Sequence, residues 1–220
     1  MKRLEAVAPA HAVGALSAIL ELQSVDPTAS TTVRSVSEAI DRHVADSLVA
    51  LPFLGAPARI ADLGSGAGWP GLALAATLPT AEVWLVESAI RHCRYLERAV
   101  EVGGLENAHV VNARAEEWSW TGDLVTARAL AALPVILEYA APLLELDGRV
   151  VCWKGAVSTE EAADGAAAAA LLGLELEAVH PVVPYAGARD HSLHVFRKIS
   201  PTPDRFPRRA GMATKRPLRA

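Results

Sequence analysis

Cysteine is nearly absent from this chain, and aromatic residues are scarce. Two cysteines, Cys93 and Cys152, occur in 220 residues. That is too few for a disulfide framework, and their spacing is not that of a zinc site, so no metal centre is expected. Phe, Tyr and Trp make up only 5%; alanine, valine and leucine must therefore fill the interior. Hydrophobic residues reach 51%, enough for one globular domain with a full core. No uninterrupted apolar run is long enough to span a bilayer. The first residues, Met1-Lys2-Arg3-Leu4-Glu5, lack the apolar stretch of a secretion signal. A cytoplasmic protein with no membrane partner is expected.

The charge is unevenly placed. The formal net charge is −4, yet the stretch from Arg197 to Ala220 holds eight basic residues against one acid, Asp204. That segment carries +7 and the remainder −11. A basic tail on an acidic body points to a polyanionic partner docked at one place, or to a solvated terminus.

Along the chain, helical periodicity covers residues 9–23 and 35–53. A buried strand then runs into the stretch Asp62-Leu63-Gly64-Ser65-Gly66-Ala67-Gly68-Trp69-Pro70-Gly71, a glycine turn that opens a helix with Pro70 at its first position. From there strand and helix patterns alternate. Strands are expected at 82–87, 108–113, 123–129, 149–153, 174–183 and 192–199. Helices are expected at 88–102, with Ser88 as N-cap, at 134–146 and at 159–172. The last two strands have no helix between them and should pair antiparallel. The pattern implies one α/β domain, with a helical cap over about 1–55, a core over 56–199 and an irregular basic tail over 200–220.

The glycine turn sits where open α/β sheets hold a nucleotide-like ligand. It can be read in two ways. Gly66-Ala67-Gly68-Trp69-Pro70-Gly71 matches G-x-G-x-x-G, the dinucleotide pattern of an NAD(P)-dependent oxidoreductase. Asp62-x-Gly64-x-Gly66-x-Gly68 resembles instead the loop of Rossmann-like, class I S-adenosylmethionine-dependent methyltransferases. Under either reading Glu87, closing the next strand, is placed to accept hydrogen bonds from ribose hydroxyls.

Further motifs sharpen the second reading: Asp41-Arg42-His43-Val44-Ala45-Asp46-Ser47-Leu48, Arg114-Ala115-Glu116-Glu117, Ala127-Arg128-Ala129, Trp153-Lys154-Gly155, and the closing Pro207-Arg208-Arg209-Ala210-Gly211 with Lys215-Arg216-Pro217-Leu218. In this order they resemble the small-subunit rRNA guanine-N7 methyltransferase family, the glucose-inhibited division protein B group. The resemblance runs from about Ile40 to Leu218. It implies a mostly parallel sheet with an antiparallel last strand and an N-terminal helical cap. It also implies S-adenosylmethionine as cofactor, and 16S rRNA or the small ribosomal subunit as partner; nothing in the chain demands a dimer, so a monomer is expected. Cofactor contacts would come from Gly64, Gly66, Trp69, Glu87, Ala115, Glu116 and Arg128. Arg128 and Lys154 would position the RNA. His43, Lys154, Arg197, Arg208, Arg209 and Lys215 are the RNA-binding candidates. Two features depart from the family: Asp26-Pro27-Thr28-Ala29-Ser30 stands where Asn-Leu-Thr is usual, and Trp69 replaces a leucine or phenylalanine.

The chemistry implied needs no general base, because guanine N7 carries a free lone pair at neutral pH. The chain accordingly lacks the Asn/Asp-Pro-Pro-Tyr/Phe motif used to grip exocyclic amines. Neither cysteine has the setting of a nucleophile; Cys152 should be a core residue. His191-x-x-His194 lies on a strand, where residues three apart face opposite ways and share no metal. Trp118 and Trp120 are expected to pack under the sheet edge rather than to stack on bases. Open alternatives are a methyltransferase of another RNA or a small molecule, the oxidoreductase, and an rRNA-binding assembly factor without turnover.

Overall fold

The computed structural model describes residues 2–220. Seven strands form one sheet: β1 (Arg59–Leu63), β2 (Glu82–Glu87), β3 (Ala108–Asn112), β4 (Gly122–Arg128), β5 (Leu144–Lys154), β6 (Leu174–Val182) and β7 (His191–Lys198). Their order is β3-β2-β1-β4-β5-β7-β6. The first five are parallel, and β7 runs antiparallel to both β5 and β6. Chain order therefore reverses between β1 and β4, where open sheets leave a crevice at the carboxyl ends of the strands.

Among the described residues the α-helices are α1 (Lys2–Glu5), α2 (Val13–Val25), α3 (Val36–Ala39), α4 (Asp46–Leu48), α5 (Gly71–Thr77), α6 (Ile90–Gly103), α7 (Leu133–Ala140), α8 (Thr159–Leu172) and α9 (Met212–Lys215). One face of the sheet packs on the N-terminal helices with α5 and α6, through Leu16, Ile19, Leu20, Leu72, Leu85 and Leu96. The other packs on α7, α8 and the C-terminal segment, through Val125, Ile136, Leu172, Phe196 and Phe206. Because both faces are covered, Ile60, Ala61, Asp62 and Leu63 are all buried, and Asp62 interrupts the apolar run usual in such strands. Among the described residues no helix is long and apolar enough to cross a membrane.

Several local expectations are corrected. The helix expected over 134–146 stops at Ala140, a 3-10 turn at Ala141–Leu143 follows, and β5 begins at Leu144. Pro142 has no N–H for a continuing α-helix, and Leu144 pairs with Gly122. The second cap helix is broken: α3 passes through a π-helical stretch, Ile40–Ala45, into α4. Ser88 does not cap α6. Ala89 is the capping residue, and its N–H is taken by Glu87 Oε1 at 2.7 Å. Pro70 is the cap of α5 rather than its first residue.

The tail is not simply irregular. It contains α9, and Phe206 and Ala213 are buried. Trp118 stacks on Trp120 at 5.3 Å, and the Arg59 guanidinium lies 5.2 Å from the Trp120 ring, a packing role as expected. Cys93 and Cys152 are both buried.

Candidate functional site

The turn after β1 is shaped by its glycines and held from below. The N–H groups of Gly64 and Ser65 both donate to the carbonyl of Val86 on β2, at 2.9 and 3.1 Å. Gly66 has φ +53°, a left-handed conformation that favours glycine. Its N–H donates to Glu87 Oε2 at 3.0 Å. Beneath the turn Asp62 accepts from Thr126 Oγ1 at 2.9 Å and from the Gly71 N–H at 3.3 Å. Gly71 is required by closeness alone, since a Cβ there would meet Leu85 at 2.2 Å. Burial pushes the Asp62 carboxyl up to about 6.

Above this turn, at the β1/β4 reversal, lies a cavity of about 850 Å3. The strand side contributes Gly64, Gly66, Trp69, Arg128 and Ala129, and the cap contributes His43, Asp46 and residues of the 27–34 segment. The size falls within the ~300–1,000 Å3 usual for small-molecule sites. Arg34, Arg42, Arg91 and Arg128 face it, with Asp46 as the acid among its lining residues. That charge favours a ligand bearing a carboxylate or phosphate.

One hydrogen-bonded chain joins cap to sheet. The buried indole of Trp69 donates to Gln23 Oε1 at 2.7 Å, and its ring stacks on His43 at 5.7 Å. His43 Nε2 lies 3.1 Å from Thr31 Oγ1, and its Nδ1 lies 3.2 Å from Arg128 Nη2. The same Nδ1 lies 3.1 Å from the Arg42 carbonyl, which only accepts, so guanidinium and carbonyl compete for one ring nitrogen. Burial, and then the Arg128 charge, depress the His43 pKa to about 3, which keeps the ring neutral. Arg128 Nη1 donates to Asp46 Oδ2 at 2.7 Å and to the Arg42 carbonyl at 2.9 Å. The other Asp46 oxygen meets His191 Nδ1 at 3.0 Å.

Gly64, Gly66, Trp69 and Arg128 thus converge on the cavity, and Glu87 reaches it through Gly66. Ala115 and Glu116 lie on a 3-10 turn beyond β3, off the cavity lining; Glu116 Oε1 accepts from the Gly211 N–H at 3.0 Å. Lys154 closes β5 and bonds Glu161 Oε1 at 2.6 Å and the Ala131 carbonyl at 3.1 Å.

His43 lines the cavity but is buried and neutral, a poor phosphate ligand and a good support for Arg128. Arg197 lies at the far end of the sheet, bonded to Glu175 and Asp147, so an RNA contact there would have to displace two carboxylates. Arg208 is likewise committed, to the fully buried Glu138. Arg209 and Lys215 are exposed. Sequence reasoning missed Asp46, Gln23, His191 and the 27–34 wall. The His43-x-x-Asp46 spacing was the one available signal, since residues three apart share a helix face.

A ligand crevice at the strand reversal, a glycine turn under it and an acid closing β2 define a Rossmann-like nucleotide-binding class, and the matches that follow place the chain among its S-adenosylmethionine-dependent methyltransferases. Among solved structures, a TehB-like S-adenosylmethionine-dependent methyltransferase from Corynebacterium glutamicum has the same fold, with a TM-score of 0.56 at 20% identity, covering 74% of this chain and 91% of that one. Within that class, residues 27–187 match the family model of GidB, the rRNA small subunit methyltransferase G. The ribosomal RNA small subunit methyltransferase G of Chloroflexus aggregans is 40% identical over 86% of this chain and 82% of its own length. That of Rubrobacter xylanophilus is 43% identical over 80% and 72%. The chain belongs to the rRNA small subunit methyltransferase G family.

Proposed function

We propose that this chain transfers a methyl group from S-adenosylmethionine to N7 of one guanine in the decoding-region loop of 16S rRNA. It would act as a monomeric cytoplasmic domain spanning residues 1–220. Family membership supports the reaction and the class of acceptor. The observation that carries the reading in this structure is the arginine-rich 850 Å3 cavity between the Gly64–Gly66 turn and Arg128.

The residues present suit such a cofactor. Gly66 brings backbone close to the ligand, Glu87 offers carboxylate oxygens toward ribose hydroxyls, Trp69 supplies an apolar wall, and the surrounding arginines match an amino-acid carboxylate. Held there, S-adenosylmethionine would supply a methyl group activated on a sulfonium, with S-adenosylhomocysteine as the leaving group when N7 takes the methyl carbon. The protein's part is then alignment. Arg128, held by Asp46, His43 and the Arg42 carbonyl, is a fixed cation at the mouth. N7 methylation leaves positive charge on the base, so Arg128 serves as an O6 or phosphate contact rather than as a stabiliser of the product. Ala115 and Glu116 remain candidates for the adenine end, and Lys154, Arg209 and Lys215 for the RNA.

The test is to incubate the protein with methyl-labelled S-adenosylmethionine and small subunits from a strain lacking this enzyme, then locate the label by mass spectrometry. One N7-methylguanosine in the decoding-region loop is expected. Cofactor binding without transfer, on subunits and on naked rRNA, would sink the proposal and favour a non-catalytic rRNA-binding role.

A further inference from the structure

Beside the large cavity lies a smaller chamber of about 270 Å3. The two share Asp46, Arg128 and Ala129, and the smaller is lined further by Trp153, Lys154, Val182, His191 and Ser192. It sits over the carboxyl ends of β4 and β5, where Lys154 pairs with Ser192 of β7.

Three features mark it as built for a ligand. The shared wall is rigid, because Arg128 has partners on both terminal nitrogens. Ala129, in that wall, has φ +54°, a left-handed conformation that costs a residue with a side chain ~1–3 kcal/mol and gathers at functional sites. Hydrogen-bonding capacity is also left unused. Lys154 engages the Ala131 carbonyl and Glu161, leaving the third ammonium proton. The Ser192 hydroxyl has no partner among the described residues. The Asp46 carboxylate engages His191 Nδ1 at 3.0 Å, which leaves the other ring nitrogen, Nε2, for a ligand. Trp153 is nearly buried, with its indole tied to the Asp46 carbonyl at 2.8 Å.

We propose that this chamber receives the base of the nucleotide to be methylated, with Lys154, Ser192 and His191 reading its polar edge across the Arg128–Ala129 wall from the methyl donor. One ammonium donor beside two groups able to accept suits guanine, which offers a carbonyl and adjacent N–H groups. Adenine has neither the carbonyl nor the ring N–H. His191 is thereby a specificity residue, and Asp46 positions it and Arg128 together. The inference rests on the methyltransferase reading above.

The experiment uses the full chain saturated with S-adenosylhomocysteine and small-subunit RNA carrying 6-thioguanosine at the methylated position. After irradiation the crosslinked peptides are mapped. Crosslinks to the peptides holding residues 153–155 or 182–192 are expected, and crosslinks confined to other peptides overturn the chamber. In parallel, His191→Phe and Ser192→Ala should each raise KM for RNA roughly tenfold, the size of one lost hydrogen bond to the base, with S-adenosylhomocysteine affinity unchanged. An unchanged KM, or an equal loss of cofactor affinity, counts against the proposal. Methyl transfer by the unaltered protein is measured separately, on unsubstituted small-subunit RNA with S-adenosylmethionine as donor. Its absence would overturn the reaction reading, whereas misplaced crosslinks with transfer intact would overturn only the chamber.

Discussion

Glu87 shows how one carboxylate serves both fold and site. Its two oxygens accept the N–H groups of Gly66 and Ala89, so it fixes the glycine turn and the start of α6 at once. Glu87→Ala should weaken S-adenosylhomocysteine binding by about tenfold or more, because the turn loses its tether and the ligand a carboxylate; titration calorimetry measures it. His43 makes a pH-dependent contribution. Its folded pKa is depressed from 6.5 to about 3, so the stability it confers is present above 6.5 and is lost as pH falls toward about 3. Between pH 6.5 and about pH 5 the linkage amounts to about 2 kcal/mol. His43→Gln should lose that slope, so its Tm falls less over this interval than that of the parent protein. Asp62, with its pKa raised by burial, acts in the opposite sense: its contribution is full below 3.8 and is lost as pH rises through about 6. Both proteins carry it, so the difference between their slopes reports His43 alone. An equal slope in the two would show that His43 is not held neutral.

At the scale of elements, the parallel strands and α8 were legible in advance, and the C-terminal segment was not. Alternating patterns and glycine stops are local signals. Gly173, for example, closes α8 in a left-handed conformation one residue past the helix expected over 159–172. The tail has no such period, and its arginines read as free charge. In the structure Arg208 makes a forked pair with Glu138, which is 0% exposed, and Lys198 Nζ donates to the carbonyls of Ala141 and Leu172. Removing Arg208 would leave a buried carboxylate without its partner. Arg208→Ala should therefore cost about 3 kcal/mol in urea unfolding, against less than ~0.5 kcal/mol for the exposed neighbour in Arg209→Ala. Similar losses in both would mean that the tail is not docked. The misjudged end of α7 has the same origin, because Leu144 becomes strand only through its pairing with Gly122.

For the whole molecule, the asymmetry of charge survives folding in reduced form. Of the +7 segment, Arg197, Lys198 and Arg208 are used internally, leaving Arg205, Arg209, Lys215, Arg216 and Arg219 exposed. RNA affinity should then fall steeply with salt, as released counterions require. Lys215→Ala should lower the slope of log affinity against log salt by about 1 while leaving base preference intact. A filter-binding series at several salt concentrations decides it, and an unchanged slope would remove Lys215 from the RNA surface.

The order of strands and helices, the glycine turn and the acid closing β2 were determined by the sequence alone, because hydrophobic period, glycine and capping act over a few neighbouring residues. The motifs also carried the family. Tertiary structure alone decided which side chains meet. Arg128 finds Asp46 across 82 positions and His43 across 85, and His191 finds Asp46 across 145. Those meetings depend on strand order, on the cap segment that carries His43 and Asp46 lying against the sheet, and on β7 returning antiparallel beside β5. No local propensity encodes such distances. They arise when both faces of the sheet are buried at once, and the same burial neutralises His43 and commits Arg208 to Glu138 of its own chain.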